Sequence, residues 1–407
     1  MNPLLISGYG TAISVDKRRL VIFNRLSKER LEFHPHQIDH DSIIVDGHTG
    51  SITFDAIRWL MKHDINLTIL NWNGNLLGAT LPKEPKNGRL KVAQYQTYLD
   101  SQKRFAIAFE IVDQKIAHTQ NLLRELARYY AEVDVDAAAH FFNEERRKFI
   151  EIGVRRAGSA INDLMLYEGR IATFYWNILA KIFNRVYPEF HFAKRGSKSY
   201  SWNMNASDEV NALLNYGYAI LESEIRKDIN AVGLDPTVGF LHELAPSKTP
   251  LVYDIQELYR WLVDLSVLQL LEEKKLKKAD FIVTENYHLR LKPATAKMLI
   301  EKIRLNMDLK MPYKNGKQFT YQTILLDCIQ QLANFVIGKR KELQLNIPLV
   351  KIRRSDPFEL MQRILAISPK ERKPLGINKS TLWYQKKNLA QGKRIRVYRK
   401  VMSKLTT

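Results

Sequence analysis

Over the first eighty residues the apolar positions come in short runs. Leu4-Leu-Ile-Ser-Gly, Thr11-Ala-Ile-Ser-Val, Arg19-Leu-Val-Ile-Phe and Ser42-Ile-Ile-Val are separated by Gly, Asp and Asn. Short runs bounded by turn residues predict strands. Ser51-Ile-Thr-Phe-Asp-Ala-Ile-Arg-Trp-Leu-Met-Lys-His63 changes to helical spacing, and Asn66-Leu-Thr-Ile-Leu70 returns to strand character, so one helix should cover the sheet. From about residue 90 to 345 long segments of 3.6-residue period dominate, such as 105–130 and 168–186. That stretch should be nearly all helical.

The pattern predicts an α+β multidomain chain: a β-rich domain over 1–85, an all-α domain over 86–345 and a basic tail over 350–407. Leu81-Pro-Lys-Glu-Pro-Lys-Asn-Gly-Arg, with two prolines and a glycine, is the linker expected between the first two. In the tail, Ser368-Pro-Lys-Glu371 reads as a capping box with Pro at the first helical position. Leu375-Gly-Ile-Asn378 should turn tightly, and a second helix should follow over 379–389. Two short helices about a Gly-containing turn, the second carrying Lys, Ser, Thr, Gln and Asn, predict a helix-turn-helix. A basic helical hairpin that touches only phosphates is the plainer alternative.

Charge narrows the partners. The 407 residues include 63 Lys and Arg against 43 Asp and Glu, a formal net charge of +20. Residues 351–407 hold sixteen Lys and Arg and only three Asp and Glu. Such a balance favours a polyanion, with nucleic acid ahead of a membrane surface. No apolar run reaches the ~18 residues of a membrane span, and the start lacks a basic region followed by a long apolar one, so a soluble cytoplasmic protein is expected. Cys328, the single cysteine, sits in an apolar helical pattern and should be core packing.

Against this basic background stand a few acids and a histidine. Glu168 lies in an otherwise apolar helical run, and burying it unpaired would be expensive. His242 follows the turn Gly233-Leu-Asp-Pro-Thr-Val-Gly-Phe-Leu. Asp254 and Glu257, three apart, share a helix face. Each has an ordinary reading: a salt-bridged helix residue, a packed histidine, acids at a helix N-terminus. Taken together, carboxylates and an imidazole in a polyanion-binding protein suggest a divalent metal that reverses the local sign. His34, His36, His40 and His48 fit no trusted zinc spacing and are expected to be surface or turn residues. Ala193-Lys-Arg-Gly-Ser-Lys-Ser-Tyr-Ser-Trp202 is a basic loop with interleaved aromatics. It could hold a nucleic-acid backbone through Arg195 and Lys198, or be an ordinary solvated loop.

Four strings occur in order: Tyr167-Glu-Gly-Arg-Ile-Ala-Thr-Phe-Tyr-Trp, Asn211-Ala-Leu-Leu-Asn-Tyr-Gly-Tyr-Ala, Gly233-Leu-Asp-Pro-Thr-Val-Gly-Phe-Leu-His and Tyr253-Asp-Ile-Gln-Glu-Leu-Tyr-Arg. They resemble the signature segments of the CRISPR adaptation integrase family, CRISPR-associated protein one. The likeness spans roughly residues 1 to 345 and includes the helix and last strands of the β domain. The resemblance implies that Glu168, His242 and Glu257 ligate Mn²⁺ or Mg²⁺, with Asp254 as a supporting carboxylate of the catalytic set. It also implies attack of a DNA 3′-hydroxyl on a target phosphodiester, or nuclease action when water attacks instead. The β domain would dimerise the protein, which would act on double-stranded target DNA and 3′-OH ends as a homodimer or a tetramer on DNA.

The added tail looks like the casposases, transposon integrases of the same family that work without a small partner protein. Lys379, Ser380, Thr381, Gln385 and Lys386 would then lie on the DNA-reading helix. A CRISPR spacer-acquisition integrase that needs the small adaptation partner is the alternative, and a non-catalytic DNA-binding protein the third reading.

Overall fold

The computed structural model describes residues 2–352 apart from 8–9, 36, 47–48, 72–75, 81–86, 156–159, 196–205, 207, 247 and 284–288, together with Ile367, Arg372 and 377–390. The chain divides into two compact units, Met1–Val350 and Lys351–Thr407.

The first unit opens with β1 (Pro3–Ser7), β2 (Thr11–Asp16), β3 (Arg19–Asn24), β4 (Arg30–Phe33), β5 (Ser42–Asp46), β6 (Gly50–Ile52), α1 (Phe54–Lys62), β7 (Asn66–Leu70) and β8 (Leu76–Ala79). They form two four-stranded sheets, ordered β1-β5-β7-β8 and β4-β3-β2-β6. The helix expected over 51–63 begins later than its spacing suggests. Residues 50–52 pair with β2 in parallel, and Thr53 ends the strand and caps the helix, its Oγ1 accepting from the Ala56 amide at 3.2 Å. One face of α1 buries Ala56, Trp59 and Leu60 among Ile6, Ile13, Leu20, Ile43 and Leu67. Each such aliphatic side chain contributes ~1.5–3 kcal/mol on burial.

The helical body follows: α2 (Gly88–Leu99), α3 (Ser101–Leu126), α4 (Val135–Arg155), α5 (Ile161–Val186), α6 (Glu209–Val232), α7 (Pro250–Glu257), α8 (Arg260–Glu272), α9 (Pro293–Met307) and α10 (Tyr321–Val336). It is not helical throughout. Two small antiparallel ribbons, β9 (Phe281–Val283) with β10 (Leu289–Leu291) and β11 (Lys310–Pro312) with β12 (Gln318–Thr320), interrupt it. Pairs of three-residue strands are too short to carry a period-two signature, so helical periodicity on either side conceals them. Cys328 is a buried, unpaired core residue of α10, and burial pushes its thiol up to about 12. Of the expected linker, 81–86 lies outside the described residues.

Helix α6 packs against α7, α8, α9 and α10 and is largely buried. Asp208 caps its start by accepting from the Asn211 amide at 2.8 Å. It also meets the sheet region, where Ser223 Oγ lies 2.6 Å from Thr68 Oγ1 of β7, while Arg290 of β10 pairs with Asp46 of β5. Of the second unit the described part is α11 (Lys379–Ala390), with Ile367, Ile377 and Leu382 buried. The expected capping box at 368–371 and the first two residues of the turn at 375–378 lie outside the described residues. Among the described residues no helix is long and apolar enough to cross a membrane.

Gly217 sets how closely α6 approaches α8. A Cβ there would stand 2.5 Å from Val263 Cγ1 and 3.3 Å from Ile303 Cδ1. Val263 is β-branched and cannot swing aside freely. Gly217→Ala should therefore destabilise the fold by ~1–3 kcal/mol despite alanine's better helix propensity. Chemical denaturation should show this loss, and adding Val263→Ala should recover part of it.

Candidate active site

Four segments far apart in sequence meet beside a cavity of about 250 Å³. Helix α5 supplies Glu168, α3 supplies Lys115, α7 supplies Asp254 and Glu257, and the loop between α6 and α7 supplies His242. Gly233 ends α6 in the left-handed conformation, φ 90°, and turns the chain into that loop. Pro250 restarts the helix at its first position, and the break at Leu258 and Tyr259 stops it, so Asp254 and Glu257 occupy the last turn of α7. The reading of these two as acids at a helix N-terminus is thereby corrected.

Glu168 and Glu257 face one another across the Lys115 ammonium, which pairs with Glu168 Oε1 and Glu257 Oε2. The other Glu257 oxygen accepts from Arg260 Nη1 at 2.9 Å. Burial works against the charge on Glu257, yet Arg260, Lys115 and His242 outweigh it and hold its carboxyl down to about 2. Burial also works against the Lys115 ammonium, and Glu257 and Glu168 nevertheless raise its pKa above the usual lysine value. Glu257 and Lys115 are therefore both ionised near neutrality. Glu168 is salt-bridged, as its ordinary reading had it, but its partner is a cation shared with a second carboxylate.

Asp254 has a different task. It is completely buried, and its Oδ2 accepts from the amides of Phe240 at 2.5 Å and Leu241 at 3.0 Å. Its Oδ1 accepts from the His242 amide at 3.0 Å and lies 2.8 Å from His242 Nδ1. One carboxylate thus fixes three consecutive amides and the imidazole, leaving Nε2 as the nitrogen available to a ligand. Burial disfavours the imidazolium, while the hydrogen bond and charge of Asp254 more than compensate and raise its pKa. The loop can approach this closely only because residue 239 lacks a side chain. A Cβ on Gly239 would lie 2.7 Å from the Pro250 backbone and 2.8 Å from Asp254 Oδ2.

Behind the pair, Arg260 stacks over the Tyr218 ring at 4.4 Å, and Tyr218 donates to buried Asp264. Tyr175 also donates to Asp264, at 2.8 Å. Tyr175, Trp176, Trp261, Thr119 and Asp264 line the cavity with Lys115, Glu168, Glu257 and Arg260. Lys115, Arg260 and Gly239 were missed as functional residues by the sequence reading. The available signal for Lys115 was an ammonium within Ile111-Val-Asp-Gln-Lys-Ile116, a run whose apolar positions are buried.

A preassembled metal cage is not seen. Among the described residues no three His, Cys, Asp or Glu side chains already converge on one point. The donor chemistry nevertheless suits a cation, since two carboxylates bracket one already and an oriented imidazole stands nearby. His40 Nδ1 lies 3.1 Å from the Asn2 carbonyl oxygen, whereas His36 and His48 lie outside the described residues.

The basic residues separate in the same way. Arg195 is turned onto α6, donating to Asn211 at 2.9 Å and Asn215 at 2.8 Å and lying over Tyr218. Lys198 lies outside the described residues, as does the side chain of Gln385. On α11, Lys379 and Ser380 are exposed and Thr381 is half-buried. Lys386 donates to the Ile367 carbonyl at 2.9 Å, so it serves the tail's own packing. Trp383 and Tyr384 are exposed, the former beneath Lys387 at 4.9 Å.

The profile of CRISPR associated protein Cas1 matches residues 4–304. A CRISPR-associated endonuclease Cas1 of Archaeoglobus fulgidus is 25% identical over 345 residues, covering 83% of this chain and 97% of that one. Its counterpart in Francisella tularensis subsp. novicida is 28% identical over 344 residues with the same coverage. A solved casposase bound to integration product superposes with a TM-score of 0.78 at 35% identity, over 90% of this chain and 99% of that one. A CAS1 protein from Thermotoga maritima shares the fold, with a TM-score of 0.66 at 19% identity over 84% of this chain and 99% of that one. The chain belongs to the Cas1 family of integrases and endonucleases, and within it is most like the casposase branch.

Proposed function

We propose that this protein is a divalent-metal-dependent DNA integrase and endonuclease that joins a DNA 3′-hydroxyl to a target phosphodiester and needs no small partner protein. The observation that carries this reading is the ammonium bracketed by Glu168 and Glu257 beside an imidazole whose Nδ1 is already committed to Asp254. Glu168, His242 and Glu257 would hold Mn²⁺ or Mg²⁺, and a mixed nitrogen and oxygen set suits Mn²⁺ better than the oxygen-preferring Mg²⁺. When bound, the ion would neutralise phosphate charge and lower the pKa of an attacking hydroxyl or water.

The protein's own groups do the rest. Asp254 holds the His242 ring in one tautomer and orientation. Arg260, secured between Glu257 and Tyr218, keeps a fixed positive charge behind the carboxylates. The tail, as a helix-turn-helix, would present Lys379, Ser380, Thr381 and Gln385 to DNA, and Lys198 would support the backbone from the catalytic body, while Arg195, bonded to Asn211 and Asn215, would brace the start of the basic loop against α6. The β-rich domain, 1–85, would dimerise the protein, with 86–345 as its catalytic domain. The resemblance to a casposase bound to integration product supports double-stranded target and 3′-OH ends as the substrates.

Purified protein with Mn²⁺, a linear duplex bearing a 3′-hydroxyl and a plasmid target should yield joined products without a second protein. Glu168→Ala and His242→Ala should reduce joining to background, and full activity in either would overturn the metal assignment. Asp254→Asn should cost ~10–100-fold, since it leaves the ligands in place but loosens the imidazole. A strict need for a small additional protein would instead favour spacer acquisition. DNA affinity of the full chain should fall steeply with salt, and replacing an α11 lysine that contacts phosphate should lower the log–log slope by ~1. A flat salt dependence would overturn the role given to the tail.

A further inference from the structure

We propose that Lys115 is the resident counter-cation of the Glu168 and Glu257 pair, that the divalent ion displaces it on binding, and that the freed ammonium then serves the phosphodiester. This inference rests on the metal reading above.

The division of carboxylate oxygens argues for it. Lys115 takes Glu168 Oε1 and Glu257 Oε2, whereas Arg260 takes Glu257 Oε1. Arg260 can therefore stay in place when an ion arrives, but the two oxygens that face each other are already spent on Lys115. The Glu168 and Glu257 charges, set against Lys115 and Arg260, leave no net charge on the pair itself to attract a divalent ion. Entry by exchange restores that attraction, because the departing ammonium hands both oxygens to the newcomer.

The two cations differ in freedom as well as position. Arg260 is planar, sits 4.4 Å over the Tyr218 ring and is bonded to Glu257. Lys115 is a point charge on a flexible stem. It opens on the cavity of about 250 Å³, where Thr119 and Trp176 also lie. The ammonium thus has somewhere to go without unfolding α3. With the ion in place and Lys115 retained nearby, two positive charges stand in excess over the two carboxylates. That excess complements a phosphodiester and the further negative charge that builds as it is attacked.

The test uses the full chain without DNA. Titrating Mn²⁺ calorimetrically into metal-free wild type and Lys115→Met should show the variant binding at least ~tenfold more tightly, since no ammonium has to leave. The same variant should melt lower without metal, gain more from Mn²⁺ than wild type does, and join DNA more slowly. Tighter metal binding with poorer joining is a split that a merely structural lysine would not produce. Equal or weaker Mn²⁺ affinity in the variant would overturn the inference while leaving the metal site standing.

Wild type carries an independent arm in case Lys115→Met fails to fold. Amine acylation read by mass spectrometry should label Lys115 poorly without metal and several-fold more with Mn²⁺. Mn²⁺ binding without a rise in labelling would overturn displacement alone. Absence of Mn²⁺ binding by wild type would overturn both the displacement and the metal site.

Discussion

Two carboxylates cannot be held side by side in a packed helical body unless cations come with them. Glu168 and Glu257 arrive on α5 and α7, 89 positions apart in the chain, and their proximity is stable only because Lys115 and Arg260 answer their charge. The placement of four helices follows from this. Helix α3 must bring an ammonium between α5 and α7, and α8 must begin at Arg260, one turn beyond Glu257 and over Tyr218 of α6. The buried link from Arg260 through Tyr218 to Asp264 and Tyr175 extends the same balance into the core.

The imidazole is positioned by another logic. His242 lies on a loop, which would ordinarily be mobile, yet Asp254 binds three of the loop's successive amides as well as the ring. A buried carboxylate saturated by four donors is an anchor of high stiffness. It is available only because Gly239 lets the chain pass within van der Waals distance of Pro250 and of the carboxylate itself. Asp254 and Glu257, though three residues apart on one helix, consequently have opposite roles. The first is spent entirely on building the loop, and the second keeps an edge toward the cavity.

Much of this was legible in the sequence, but not evenly. Short apolar runs bounded by turn residues located β1, β2, β3 and β5, and apolar period located α3 and α5, because these are local properties of each segment. The order of Tyr-Glu-Gly-Arg-Ile-Ala, Gly-Phe-Leu-His and Asp-Ile-Gln-Glu gave the site residues through resemblance, since no one of them was informative alone. Lys115 stayed hidden because its meaning depends on carboxylates 53 and 142 positions away, and sequence spacing carries no trace of such a contact. Asp254's role was only half visible, because its helix register follows from sequence while its grip on three amides depends on how the loop closes. The short ribbons β9 to β12 escaped for want of length.

Charge also explains why a cluster of acids persists in so basic a protein. A surface assembled for a polyanion would repel nothing at this site, because its two facing carboxylates are already neutralised by Lys115 and Arg260. The carboxylates therefore add no barrier to the approach of phosphate. Their value lies in being held close and beside an oriented imidazole, so that under the proposed exchange a divalent ion in place of a monovalent ammonium would convert a neutral pair into a positive centre. On the proposed reading the basic tail would supply affinity for any stretch of DNA, while a change of charge confined to this cavity would distinguish the phosphate to be attacked from the others along the duplex.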